Sequence, residues 1–321
     1  ILTRVAGSHL RVGTFEYFAS RQLTNELKII ADYTINRHYS EANASKNTYL
    51  TFLELFAKKQ ASLIAKWMGV GFIHGVMNTD NTSISGETID YGPCAFMDNY
   101  DPSTVFSSID RHGRYAFGNQ PQIAQWNLAS LAGCLLPLID NNEDKAKDSV
   151  SKIIEGFSGI VNSDISEVMC SKIGLNSNNE KSRESLKNLL ALMKSSEADY
   201  TLAFRYLGDY LNNENEPSFK ELFTNKDEIE HWLLDWLELI NTEGNSKKSI
   251  IESMQTINPI YIPRNHLVER AIKAGVNDGD YSVMLNLSLV LETPYKLQEV
   301  DQDYMNPPQP SERVLQTFCG T

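Results

Sequence analysis

Apolar residues recur every three to four positions between Thr14 and about Tyr39, at Phe15, Phe18, Leu23, Leu27, Ile30 and Tyr33. That spacing predicts one long amphipathic helix with Thr14 as its N-cap. A second helical pattern runs from about Asn47 through Leu50, Phe52, Leu53, Leu55, Phe56, Ile64 and Trp67, and stops at Gly69 and Gly71. Between Asn81 and Asp90, Thr82, Ile84 and Gly86 alternate with Ser83, Ser85 and Glu87, which predicts a short β-hairpin turning near Gly86. Residues 93–120 are rich in Asp, Ser, Pro, Gly and Tyr with little periodicity, and read as a long ordered loop over a site. Pro121 then opens a core helix carrying Ile123, Trp126, Leu128, Leu131, Leu135 and Leu138. Beyond Asp140 the pattern is almost entirely helical, with polar turns at 176–180, 212–217 and 242–245, and a Pro-rich stretch at 300–310 reads as an extended segment over the fold. These elements give an α+β fold that is predominantly α-helical.

Composition narrows the partners. With 321 residues and 41% hydrophobic content the chain can bury a large core, and its length suggests about two domains. A net charge of −12 disfavours the basic surface that a nucleic-acid polymer requires. The longest apolar stretches, such as 131–139, fall short of the roughly 20 residues of a membrane span, so no membrane partner is expected. Cys94, Cys134, Cys170 and Cys319 are too widely spaced for a metal knuckle or a disulfide scaffold, and a reducing compartment is the default. Cys134 sits in an apolar helix run and reads as core, as do Trp232 and Trp236. Asp98, Asp101 and Asp110 read as solvated or capping loop residues.

The chemistry concentrates at 74–92. The run His74-Gly75-Val76-Met77-Asn78-Thr79-Asp80-Asn81 is followed by Asp90-Tyr91-Gly92. Paired loops of this kind in phosphotransferases read His-Arg-Asp with an Asn five residues after the Asp, then Asp-Phe-Gly. Asn81 falls at the expected Asn position, but Val76 stands where the base Asp is expected. Phosphoryl or nucleotidyl transfer needs a divalent cation on the phosphates, a carboxylate near the attacking hydroxyl and cationic groups on the developing charge. Asn81 and Asp90 suit the first task, with Mg²⁺ or Mn²⁺ keeping water and substrate oxygens in its other positions. Asp80 suits the second. Read alone, Asn-Thr-Asp-Asn is also an ordinary tight turn, and His74 is either an orienting group or a packed side chain.

Several motifs together resemble the selenoprotein O family of pseudokinases: residues 74–81, 88–93, Gly113-Arg114-Tyr115, Asn119-Gln120-Pro121 with Trp126-Asn127-Leu128, the early run 3–16, and Asn258-Pro259 with Pro263-Arg264-Asn265. The resemblance implies a protein kinase-like C-lobe carrying the catalytic hairpin, with a C-terminal helical extension. Residues 1–140 would be the catalytic core, and 141–321 the helical region and tail. It implies a protein adenylyltransferase that moves AMP from ATP to Ser, Thr or Tyr hydroxyls of proteins, with Asp80 as base, Asn81 and Asp90 as metal ligands, and Arg4 and Arg11 on the nucleotide phosphates. The family commonly ends in a redox-active Cys, a placement that Cys319 resembles; a redox pair of Cys94 with Cys319 is one reading and two unpaired thiols, the default in a reducing compartment, the other. The rivals are a kinase-like phosphotransferase and a nucleotide-binding scaffold without chemistry. The family also uses an N-terminal lobe with a Gly-rich loop, a Lys and an acidic partner, none of which precedes Ile1. The chain thus reads as a fragment, active only when that segment is supplied. The expected location is the cytoplasm, or the mitochondrion in a eukaryote.

Overall fold

The computed structural model describes residues 5–300 and 302–318; Arg4 and Cys319 lie outside the described residues. The single helix expected from Thr14 to Tyr39 is two, α1 (Val12–Ser20) and α2 (Thr24–His38). Gln22 takes left-handed backbone at φ 56°, its N–H donates to Ala19 O, and the N–H of Leu23 donates to Phe18 O. That pair of bonds is a Schellman closure, which Gly ordinarily marks; with Gln in its place the break leaves no local signal. Thr14 is not the N-cap. It lies in the first turn, where its Oγ1 accepts the Arg11 N–H at 3.2 Å.

α3 (Thr48–Val70) forms as its spacing predicts, with the Asn47 side chain accepting the Leu50 N–H at 3.1 Å and Gly71 closing it at φ 72°. Gly69 belongs to the helix rather than to its stop. Phe52, Leu53, Phe56, Ala61 and Ile64 line one stripe of α3 and are fully buried, each large side chain contributing about 1.5–3 kcal/mol. They join one core with α4 (Gln120–Ile139) and the first half of α5 (Glu143–Lys172). Residues 117–139 have the length and hydropathy of a membrane span, but α4 is packed inside this core and carries buried Gln120 and Asn127. The far end of α5 enters a second core with α6 (Glu180–Ser195), α7 (Tyr200–Asn212), α8 (Ser218–Glu221), α9 (Lys226–Thr242) and α10 (Lys247–Ile257). Trp232 and Trp236 stack in it with centroids 5.7 Å apart, and buried Cys134 belongs to the first core, as expected. α11 (Asn265–Lys273) and α12 (Ser282–Leu291) follow, and Tyr304 and Met305 of the tail pack against Ile260 and Tyr261.

The strands differ from the expected hairpin. β1 (Phe72–Ile73) and β2 (Ala95–Phe96) pair antiparallel, Phe72 opposite Phe96, so the sheet brackets the two motif loops instead of joining them. Within 81–90 no hairpin forms: Ser83 pairs with Arg11, the Val12 N–H donates to Thr82 O at 3.0 Å, and the Ile84 N–H to Leu10 O at 2.9 Å. Ile84 of the alternating run is buried, and so are Thr82 and Ser83 beside it. The segment's partner is the N-terminal run, and on the return side the Thr88 hydroxyl accepts a bond from Trp67 Nε1 at 2.8 Å.

Candidate active site

Asn78 caps a single 3₁₀ turn, Thr79–Asn81, its side chain accepting the Asn81 N–H at 3.0 Å. The tight-turn reading is therefore correct as local structure, and the turn aims the two polar side chains. The Asn81 amide Nδ2 donates to Val76 O at 3.0 Å, which fixes which way the amide faces. Val76, at the expected base position, thus contributes its carbonyl. The Thr79 hydroxyl donates to Glu16 on α1, and Asn127 Nδ2 on α4 donates to Met77 O at 3.0 Å, so the turn is anchored from two helices.

Asp80 is exposed and lies against Gly13 in the first turn of α1. A Cβ at Gly13 would stand 2.1 Å from Asp80 Oδ1, so the bare glycine makes room for the carboxylate. The same N-terminal run brings in Arg11, half-buried and paired with Ser83, whose Nε is buried without a partner. A guanidinium nitrogen left in that state matches an anionic oxygen supplied by a ligand.

Asp90 arrives through His74. His74 is fully buried, its Nε2 bonds Ile89 O at 2.7 Å and its Nδ1 accepts the Val76 N–H at 3.4 Å. Donor on one nitrogen and acceptor on the other define a neutral ring, which spans the first loop and the residue before Asp90. Orientation and packing are thus one role for His74. Asp90 itself sits at φ 60°, a left-handed conformation that Asp tolerates and that costs about 1–3 kcal/mol where it is imposed. Gly75, at φ 85°, is forced as well, since a Cβ there would lie 2.8 Å from Pro93 O.

Burial lowers the pKa of His74 from 6.5, against the opposing Ile89 carbonyl and Asp90 charge. An unfolded chain takes up a proton below about pH 6.5 that folded His74 refuses, so this contribution to stability is present above that pH and is lost as pH falls. His38 and His266 are lowered in the same sense by burial. The urea midpoint is expected to drop between pH 7 and pH 5, and to drop less in His74→Gln; equal slopes would show that His74 does not titrate on unfolding.

Two residues beyond the motif loops hold the segment that follows Asp90. Asn265 donates to Phe96 O at 3.0 Å and accepts the Phe96 N–H at 3.3 Å, serving β2 as a strand neighbour would. Arg264 is fully buried and bonds Asp98 at 2.7 Å, Asp199 at 2.8 and 3.2 Å, and Met305 O at 2.9 Å. Asp98 is therefore not a solvated loop residue: burial pushes its carboxyl up while Arg264 pulls it down. Asp101 and Asp110 do cap loop N–H groups, of Ser103 and of Arg114 and Tyr115. Asp199 and the anchors Glu16 and Asn127 were not singled out as functional from the sequence; a polar side chain on an apolar helix stripe was the available signal at Asn127.

Among the described residues no group of three or more His, Cys, Asp or Glu forms a metal cluster. Asn81 and Asp90 supply one amide oxygen and one carboxylate, oxygen donors of the type a hard cation takes. Cys94 is a free thiol whose Sγ donates to Tyr91 O at 3.2 Å, and burial pushes its pKa up to about 11.

A turn-borne carboxylate at Asp80, an amide held by Val76 O at Asn81, Asp90 in left-handed backbone and an unpartnered Arg11 Nε are the polar features of the two motif loops and the run packed on them. Residues 1–292 match the family described as protein adenylyltransferase SelO. The chain belongs to that family. Over its whole length it is 52% identical to the protein nucleotidyltransferase YdiU of Maridesulfovibrio salexigens and 49% identical to those of Rhizobium rhizogenes and Bacillus mycoides. It spans 65% of the length of the first of these relatives and 64% of the other two.

Proposed function

We propose that this chain carries the base and metal half of a protein adenylyltransferase site, built on a kinase-like C-lobe within residues 1–140 and buttressed by the helices of 141–321. The observation that carries the reading is the turn at Asn78–Asn81, which presents Asp80 against Gly13, two residues along from the Arg11 that pairs with Ser83, while Val76, at the usual base position, is used as a backbone acceptor. A base displaced in this way suits attack at a phosphorus other than the terminal one. Family membership and the relatives' names support nucleotidyl transfer.

In the proposed reaction an acceptor Ser, Thr or Tyr hydroxyl forms a bond to the α-phosphorus of ATP, the bond from that phosphorus to the bridging oxygen breaks, and pyrophosphate leaves. Asp80 takes the hydroxyl proton. Arg11, with Arg4 as its proposed companion, binds phosphate oxygens. Asn81 Oδ1 and Asp90 would hold Mg²⁺ or Mn²⁺, which when bound neutralises phosphate charge. The Cys94–Cys319 pair is proposed as a redox tether from this loop to the chain's end.

The test uses the chain joined to the remaining third of its relatives' length. Mass analysis of a modified acceptor protein is expected to show added AMP. Added phosphate would instead establish a phosphotransferase.

A further inference from the structure

The tail crosses the loop that follows Asp90 as a strand. Thr317 forms a parallel bridge with Ser107: its N–H donates to Phe106 O at 2.8 Å, and its carbonyl accepts the Ser108 N–H at 3.0 Å. The Thr317 hydroxyl donates to Pro93 O, and Pro93 O is the atom that packs against Gly75 of the first motif loop. A side-chain hydroxyl on an extended segment therefore ends beside both loops of the site.

Upstream, a partly exposed Glu312–Arg270 ion pair at 3.3 Å also anchors the tail to α11. Leu315 is 77% exposed and Phe318 69%, and a cavity of about 740 Å³ remains between the tail and α11, lined by His266, Arg270, Lys273, Glu312, Val314 and Phe318. Among residues 314–318 the attachments are main-chain bonds and one hydroxyl, with Leu315 and Phe318 in solvent, and a strand so held is exchangeable for another once the proposed Cys94–Cys319 tether is reduced. Ser107 Oγ is buried and has no partner, so the edge retains unused polar capacity while the tail occupies it.

We propose that the backbone edge Phe106–Ser108 is where an extended segment of the acceptor protein docks by strand addition, and that residues 314–318 occupy it as a resident competitor. This rests on the adenylyltransferase reading of the site. Main-chain pairing asks only that the acceptor be locally unfolded or strand-like, and the position of the Thr317 hydroxyl marks where the acceptor hydroxyl lies. Recognition of this kind selects extended conformation over sequence.

Thr317→Pro removes both the N–H donor and the hydroxyl, and a chain ending at Gln309 removes the strap altogether. Exchange of the Ser108 amide is expected to accelerate in both. A fluorescein-labelled peptide copying residues 311–318 is expected to bind either variant at least about tenfold more tightly than the unaltered chain, the scale of two lost hydrogen bonds. A Thr→Pro version of the peptide at the position matching Thr317 is expected not to bind. Unchanged Ser108 protection in both variants, or free exchange without peptide binding, would overturn the proposal. In the chain extended to its relatives' length, release of the strap is expected to lower the KM for the peptide as acceptor, with label from α-labelled ATP on its threonine. Label on other proteins at an unaltered rate after release would overturn the acceptor assignment. Peptide binding with no label on any protein is a failure of the transfer reading alone.

Discussion

Gly13→Ala is expected to lower AMP transfer by about 10²–10⁴-fold, the range lost with a general base, while changing stability by no more than about 1 kcal/mol. The added Cβ would lie 2.1 Å from Asp80 Oδ1 and 3.0 Å from its Cγ, so the carboxylate has to turn away from the acceptor. Asp80 is exposed and at the end of its side chain, which makes that rotation cheap for the fold and costly for the chemistry. Asp80→Asn removes the base without any clash and is expected to give a loss of the same size. Because both changes act on one group, the double variant is expected to be no slower than Asp80→Asn alone. Initial rates of transfer from α-labelled ATP in the extended chain measure all three, and Gly13→Ala at the unaltered rate would show that Asp80 does no work where it stands.

Arg264→Leu is expected to destabilise the chain by about 3–5 kcal/mol, the cost of stranding a buried charge. Arg264 is fully buried and, among the described residues, its charged partners are Asp98 and Asp199, the latter 4% exposed and also capping α7 through the Leu202 N–H at 2.8 Å. Leucine returns apolar volume but leaves two carboxylates facing each other without a cation. The planar fork that serves both of them and the Met305 carbonyl is beyond a lysine, so Arg264→Lys is expected to recover only part of the loss. Urea denaturation reads the difference; a loss under about 1 kcal/mol would mean that the triad is not a strut.

The motif loops were legible because their parts are local: His74 through Asp90 fall within one short stretch, and the turn at Asn78 is written in its own residue types. α3 was legible for the same reason, with an Asn at one end, a Gly at the other and an apolar stripe between. The break at Gln22 was hidden because the left-handed position is not a glycine. The hairpin was misplaced because alternation says nothing of which segment supplies the hydrogen bonds; here Arg11 pairs with Ser83 and Phe72 with Phe96. Arg264 reaches residues 65 and 166 positions away, and no pattern in a window of sequence encodes such a contact. Asp98 was misread on that account, since its polarity pointed to solvent while its partner lay at the start of α11. Gly13 gave no signal either, as a glycine in a first helical turn has many uses and only the structure shows the carboxylate against it.

The most direct test of the site as a whole is transfer of label from ATP labelled at the α-phosphate, measured on the chain joined to the rest of its relatives' length, with Asp90→Ala beside it. Asp90 is the one member of the set held by strained backbone, at φ 60°, and is tied to the first loop through Ile89 and His74. The account predicts label on acceptor protein with Asp90 intact and none with alanine, at unchanged far-ultraviolet circular dichroism. Label that persists in Asp90→Ala would contradict it.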